Sequence, residues 1–118
     1  IMLSFVGHLS DGEESGEGPT GNYRLRFSIY DCEEKEEANR PLWIEEQPVA
    51  VINGAFRVLL GSVVTLDRHV FEGAPYDAGG AARWIQLEVV ATPSGNLSRP
   101  HRLGPRQRLP TLIAEKSA

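Results

Sequence analysis

The pair Asn53-Gly54, set between two apolar segments, constrains the fold of this chain more than any other sequence feature. Asn-Gly adopts the positive φ angles of a type I′ turn, so it is the strongest short-range signal for a β-hairpin. On both sides of it, apolar side chains recur at every second position, as half-buried strands require. These apolar positions are Val49, Val51, Phe56, Val58 and Leu60. The segment 49–61 therefore predicts a hairpin and a mostly β fold.

Other segments show the same alternation and predict further strands over 3–9, 23–30 and 83–91. A strand is also predicted from Pro41, and Pro48 interrupts it, which indicates a sheet edge or a bulge. In the clearest strand, 23–30, the residues predicted to face the core are Tyr23, Leu25, Phe27 and Ile29. Those predicted to face water are Arg24, Arg26 and Ser28.

The expected architecture is all-β, a single antiparallel β-sandwich of about seven strands with long polar loops and an irregular C-terminal segment. A chain of 118 residues suits one domain with one core. We assign residues 1–109 to the sandwich. Residues 110–118 are either a C-terminal tail or a link to a missing region.

Composition and motifs predict no catalytic, cofactor or metal site. The formal net charge of −4 argues against a general nucleic-acid binder. With Cys32 as its only cysteine, the chain has no intrachain disulfide and no thiolate zinc site. The three histidines lack metal-ligand spacing. We therefore expect no enzyme activity; the remote alternative is a small hydrolase that uses Asp67, His69 and the loop 73–82.

Aromatic residues offer one candidate binding surface. Trp43, Tyr76 and Trp84 could stack on sugar rings, or the two tryptophans could simply cover the ends of the core. Trp84 is out of phase with the apolar stripe that follows it, which places it on the opposite face of its strand. An exposed aromatic ring there favours binding, and burial favours the structural interpretation.

A basic segment near the C-terminus offers a second candidate surface, formed by Arg99, Arg102, Arg106 and Arg108. Charge divides unevenly along the chain. Residues 1–55 hold 11 acidic and 4 basic residues, and residues 56–118 hold 5 acidic and 8 basic residues. The basic segment fits either a nucleic-acid contact or a strand-like stretch that bonds to acidic loops or a neighbouring chain. The overall negative charge favours the second interpretation.

Several short motifs follow one another in order over residues 3–109. They are Leu3-Ser-Phe-Val-Gly-His-Leu9, Pro19-Thr-Gly21, Tyr23-x-Leu-x-Phe-x-Ile-Tyr-Asp31, Pro41-Leu-Trp43 with Glu45, Val49-x-Val-x-Asn-Gly-x-Phe-x-Val-x-Leu-Gly61, Phe71-x-Gly73, Arg83-Trp84-Ile-x-Leu-x-Val89 and Pro105-Arg-Gln-Arg-Leu109. This order resembles a β-sandwich module of bacterial exported, cell-surface and fibre-like proteins. In that family the closing motif often continues into Val-Pro-Tyr-Ala, whereas Pro110-Thr-Leu-Ile-Ala114 stands here.

The resemblance implies a structural, adhesive or assembly role and brings no catalytic residues. We therefore expect a non-catalytic interaction module that mediates protein–protein assembly or surface attachment, with a protein partner or a second copy bound. The alternative is a carbohydrate-binding module. No run is apolar enough to cross a membrane, so membrane insertion is not expected, and no signal peptide is visible. No cofactor is expected, because the cofactor-binding motifs are missing. The compartment stays open, with the resemblance favouring export or the cell surface.

Overall fold

The computed structural model describes residues 2–10, 18–33, 40–71 and 83–109. Seven strands form two antiparallel sheets packed face to face, which confirms the predicted all-β sandwich. The strands are β1 (Leu3–His8), β2 (Gly21–Tyr30), β3 (Trp43–Val51), β4 (Ala55–Leu60), β5 (Trp84–Thr92), β6 (Gly95–Arg102) and β7 (Gln107–Arg108). A single turn of 3₁₀ helix spans Arg68–Phe71. Within the described residues, no helix has the length and apolar character needed to span a membrane.

The larger sheet has the strand order β3-β2-β5-β6, and β7 pairs with β5 beside β6. The smaller sheet contains only β1 and β4. Between the sheets lies one core, in which the rings of Phe5, Phe27 and Phe56 meet at centroid distances of 6.1–6.5 Å. Leu25, Phe27 and Ile29 are fully buried, as the alternation of β2 predicts.

The Asn53-Gly54 turn forms, but the strands on its two sides do not make a hairpin ladder. Asn53 and Gly54 have φ angles of 50° and 86°, and Ile52 and Ala55 exchange two hydrogen bonds of 3.0 and 2.9 Å. Beyond that pair β3 joins the larger sheet and β4 joins the smaller one. The predicted hairpin is therefore corrected to a crossover between sheets, because the apolar faces of both strands are buried by facing each other across the core.

Tertiary hydrogen bonds hold this turn at the junction of three segments. Gly54 donates its N–H to the carbonyl of Pro19 at 2.7 Å, and its own carbonyl accepts the N–H of Leu9 at 2.7 Å. The N–H of Asn53 donates to the Thr20 hydroxyl at 2.9 Å. The turn thus ties the end of β1 to the start of β2.

Two expectations from the sequence differ from the structure in detail. β3 is not interrupted at Pro48 but runs through it, and proline is tolerated there because β3 is an edge strand, as the proline itself indicates. Ser28 was expected to face water but is only 2% exposed. It lies on the outer face of β2 between Ile44 and Gln86, and its small side chain is covered by these larger neighbours.

Candidate functional site

The candidate site is the edge of the larger sheet formed by β6 and β7, called here the arginine edge. Both strands pair with β5, at different positions along it, and Gly104 and Pro105 separate them. All eight residues of β6 are exposed. The register shifts between Val89 and Ala91, so that residues 97–100 face a single residue of β5. This bulge carries Arg99 away from the ladder.

The four candidate arginines do not share one environment. Arg99 and Arg102 on β6 and Arg108 on β7 are exposed, whereas Arg106 is half-buried. Residues 95–109 contain no acidic residue. Three exposed guanidinium groups on one sheet edge form a cationic surface that suits carboxylate-bearing partners.

Arg106 fastens the C-terminal segment to the sheet. Its guanidinium lies 3.5 Å from the centre of the Tyr30 ring. Its Nε donates to Oε1 of Gln86 at 3.1 Å, and Nη1 donates to the carbonyl of Cys32 at 3.2 Å. These contacts with Tyr30, Gln86 and Cys32 already engage the side chain, so we assign Arg106 to holding the arginine edge in place.

The aromatic candidates are separated in the structure. Trp84 lies half-buried on the outer face of the larger sheet, opposite Tyr30, and the Arg108 guanidinium is 5.9 Å from its ring. Trp43 is only 6% exposed, and its indole N–H donates to the carbonyls of Val64 and Thr65. Trp43 is therefore a core residue and offers no exposed ring to a ligand. Tyr76 lies outside the described residues.

A row of alternating charges crosses the outer face of the larger sheet next to the arginine edge. Glu46, Arg26, Glu88 and Arg102 lie opposite one another on β3, β2, β5 and β6. Arg26 contacts Glu46 at 2.9 Å and Glu88 at 3.6 Å, and Arg24 contacts Glu46 at 3.2 Å. Cross-strand pairs of opposite charge stabilise this register. The hydrogen bond from Arg26 lowers the pKa of Glu46, helped by Arg24 and opposed by partial burial.

Replacing Glu46 with glutamine is expected to lower stability modestly at neutral pH and to have no effect in acid. Since the folded-state pKa of Glu46 lies below its usual value of 4.5, its contribution is present above that pH. The contribution is lost as the pH falls through the lowered folded-state pKa. Urea unfolding of both proteins at neutral pH and at successively lower pH checks this, since the difference between them should shrink as the pH falls. A deficit that is equally large in acid would contradict it.

Glu45 and Gln47 on β3 form a buried polar cluster, which we call the β3–β4 seam. The residue pattern did not predict it. Glu45 is 1% exposed, and its carboxylate accepts the backbone N–H groups of Gly61, Val63 and Val64 at 2.7–3.3 Å. The Gln47 amide donates to Glu45 and, at 2.9 Å, to the carbonyl of Leu59. These side chains replace the ladder that β3 and β4 do not form. A glutamate and a glutamine at inward positions of an alternating strand were the signal available in the sequence.

The proposed hydrolase residues Asp67 and His69 do contact each other. His69 Nδ1 lies 2.7 Å from Oδ1 of Asp67, and the His69 backbone N–H donates to the same oxygen at 2.9 Å. These bonds lower the pKa of Asp67, the backbone bond most. Both side chains are well exposed at the start of the 3₁₀ helix, and Asp67 serves as its cap. The loop 73–82 lies outside the described residues.

Among the described residues, no group of three His, Cys, Asp or Glu side chains is arranged to hold a metal ion.

Three comparisons with known proteins place this geometry in context. No curated protein and no solved structure matches the chain. One family model matches residues 4–106, from β1 to the arginine edge. The chain therefore belongs to the family described as a domain of unknown function, DUF8740.

Proposed function

We propose that this domain is a non-catalytic interaction module whose arginine edge binds an acidic surface of a partner protein. The observation that supports this most is the exposure of all eight residues of β6 on an edge that carries four arginines. Arg106 and its contacts with Tyr30 and Gln86 fix this edge to the sheet. The cationic groups are thereby pre-organised, which lowers the entropy cost of binding.

Charge distribution favours a protein partner over nucleic acid. The whole chain carries a formal net charge of −4, so a phosphate backbone running beyond the arginine edge would meet a repulsive field. A compact acidic patch on a protein matches three exposed guanidinium groups without such repulsion. Assembly at a cell surface, as the sequence resemblance implies, is the setting that we propose for this binding.

Reversing two charges on the arginine edge is expected to abolish partner capture. The double variant Arg99→Glu/Arg108→Glu changes exposed side chains only, so its folding should be unchanged. We expect it to lose proteins that the wild-type domain retains from lysate of the source cells. In addition, poly-L-glutamate should shift amide NMR signals of β6 and β7 in the wild type, in a manner that weakens with salt.

The matched control is Arg57→Glu/Arg68→Glu, which makes the same change in net charge at exposed positions away from the arginine edge. This control should retain the captured proteins and the NMR response. Equal loss in both double variants, or a response spread over the whole surface, would contradict the proposal.

Glycan binding through Trp84 is the alternative, supported by the position of this ring on the outer face beside Arg108. Trp43 does not contribute, because it is buried. On a glycan array, the alternative expects binding that Trp84→Ala abolishes with unchanged melting temperature. Binding that survives this substitution, or none at all, would remove the alternative.

A further inference from the structure

The exposed strand edges differ in their capacity to accept another strand. The edge strands of the larger sheet, β3 and β6, carry Pro48 and Pro100. Proline offers no backbone N–H, and a proline or a charged side chain on an edge opposes strand addition. β1, with the sequence Leu-Ser-Phe-Val-Gly-His, contains neither a proline nor an Asp, Glu, Lys or Arg. β1 is therefore the edge strand that lacks these protections.

β4, the other strand of the smaller sheet, has hydrogen-bond partners near both of its ends on the side away from β1, called here its closed side. At one end, Ala55 exchanges two hydrogen bonds with Ile52. At the other, the carbonyl of Leu59 accepts the Gln47 amide at 2.9 Å and the Ser62 hydroxyl at 2.8 Å. Ile52, Ser62 and the Gln47 amide thus occupy the backbone groups of Ala55 and the carbonyl of Leu59, with which a new strand would otherwise pair.

The geometry of the β1–β4 ladder leaves the other side of β1 open. In an antiparallel pair, residues alternately direct their backbone groups toward the partner and away from it. Ala55 directs both of its groups toward Ile52, so its partner His8 directs its own away from β4. By the same alternation, Ser4 and Val6 do likewise. Over the described ranges, no strand lies along this side.

We infer that β1 pairs with β1 of a second copy of this chain, antiparallel and across a two-fold axis at Val6. In this register Val6 lies opposite Val6 of the partner subunit, and Ser4 opposite the partner's His8. The two-fold axis repeats the second pair, with His8 opposite the partner's Ser4. Each of the resulting three pairs exchanges both backbone hydrogen bonds, on the order of six bonds in all. The edge is therefore complementary to itself, as an isologous interface requires.

Charge and exposure favour a second copy over another partner. Two uncharged strands meet without like-charge repulsion, and the two His8 side chains sit at opposite ends of the paired segment. Val6 is 62% exposed on the outer face, and pairing places it beside its symmetry mate. The joined sheet has the order β4-β1-β1-β4, four strands wide like the larger sheet. Such a small interface gives a weak, concentration-dependent dimer.

Sedimentation equilibrium from micromolar to millimolar protein tests the inference. We expect the wild type to dimerise, and Val6→Pro and Val6→Lys to raise the dissociation constant by about tenfold or more. Val6→Pro removes a donor that points away from β4, so the internal ladder stays intact. Val6→Lys places two ammonium groups opposite each other in the dimer. It provides the same test if the proline variant does not fold. Leu59→Lys, on the same outer face but on β4, should dimerise like the wild type.

A covalent test locates the contact. In a Cys32→Ser background, Val6→Cys should form a disulfide-linked dimer with oxidised glutathione as the oxidant, since directly opposed residues lie within disulfide reach. Ala55→Cys in the same background, on the closed side of β4, should stay monomeric. The arginine-edge variant Arg99→Glu/Arg108→Glu should dimerise normally, which separates this inference from the proposed function. A wild type that is monomeric throughout, or a dimer insensitive to both Val6 variants, would overturn it.

Discussion

Replacing Glu45 with alanine is expected to destabilise the domain by about 3–5 kcal/mol, since it removes hydrogen bonds to three backbone N–H groups and to Gln47 that contribute about 1 kcal/mol each. Glu45 is 1% exposed and accepts three backbone N–H groups, those of Gly61, Val63 and Val64. Alanine leaves all three without this acceptor. Urea unfolding measures the loss, and Trp43 fluorescence reports on it locally because its indole bonds to the same loop.

The neighbouring residue provides a matched control. Glu46 carries the same side chain on the outer face of β3, where it contacts Arg24 and Arg26. Glu46→Ala should cost about 1 kcal/mol or less, as partly exposed ion pairs do. Glu45→Gln should fall between the two, because one carbonyl oxygen remains to accept hydrogen bonds. Equal losses for both alanine variants would show that Glu45 in the β3–β4 seam adds no more stability than a partly exposed ion pair does.

Replacing Gly54 with valine is expected to destabilise the domain by about 2–4 kcal/mol, from backbone strain of 1–3 kcal/mol and weakened hydrogen bonds. Gly54 has a φ of 86°, which a β-branched residue adopts only under strain. An added Cβ would meet the carbonyl oxygen of Leu9 and lie 2.7 Å from the His8 ring. The backbone of β1 would have to move, and the bonds to Leu9 and Pro19 would weaken. Thermal and urea unfolding measure the loss.

Asn53→Gly is the control at the same turn. Glycine adopts the φ of 50° found at Asn53 and keeps the backbone N–H that donates to Thr20. Only the 3.4 Å contact between the Asn53 and Thr20 side chains is lost. The expected change is within about 0.5 kcal/mol, as for substitutions away from special features. A loss of stability for Gly54→Val as small as that for Asn53→Gly would contradict the prediction that a side chain at position 54 strains the turn.

Much of the fold was predictable because it depends on local alternation. Phe27 and Ile29 on β2, and Val58 and Leu60 on β4, are buried as period two requires. The positive φ angles of the turn follow from the residue types Asn and Gly alone. These features need only a strand's pleat and one apolar face, which a short stretch of sequence specifies.

What the sequence did not predict depends on which strands meet. The Asn-Gly pair specifies a turn, but the pairing of β4 with β1 depends on residues some fifty positions away in the chain. The same holds for Glu45, whose role appears only once the loop 61–64 lies over β3. Local propensity carries no information on such distant contacts.

The candidate site was predictable as a list of residues but not as a surface. The arginines at 99, 102, 106 and 108 form one run in the sequence, yet Arg106 turns inward onto Tyr30 while Arg99 stands on a bulge. Trp43 and Trp84 have similar apolar neighbours in the sequence. Trp43 is buried in the core and Trp84 lies on the outer face, because the two residues occupy opposite positions in the alternation of their strands. The alternation of residues along a strand predicts which face of the sheet a side chain lies on. The bulge at Arg99 and the contact of Arg106 with the Tyr30 ring depend instead on how β6 and β7 pair with β5.

The location of β1 also bears on how the chain folds. Its ladder joins Leu3 to Leu60, so the smaller sheet closes a long loop before any of its contacts stabilise it. The β5–β6 pair, joined by a tight connection after Thr92, closes almost no loop. Folding should therefore begin in the larger sheet, with β1 docking late, when the Asn53-Gly54 turn is in place to receive Leu9. Until then the uncharged β1 edge is exposed on both sides, and this is the stage at which two chains would exchange their first strands.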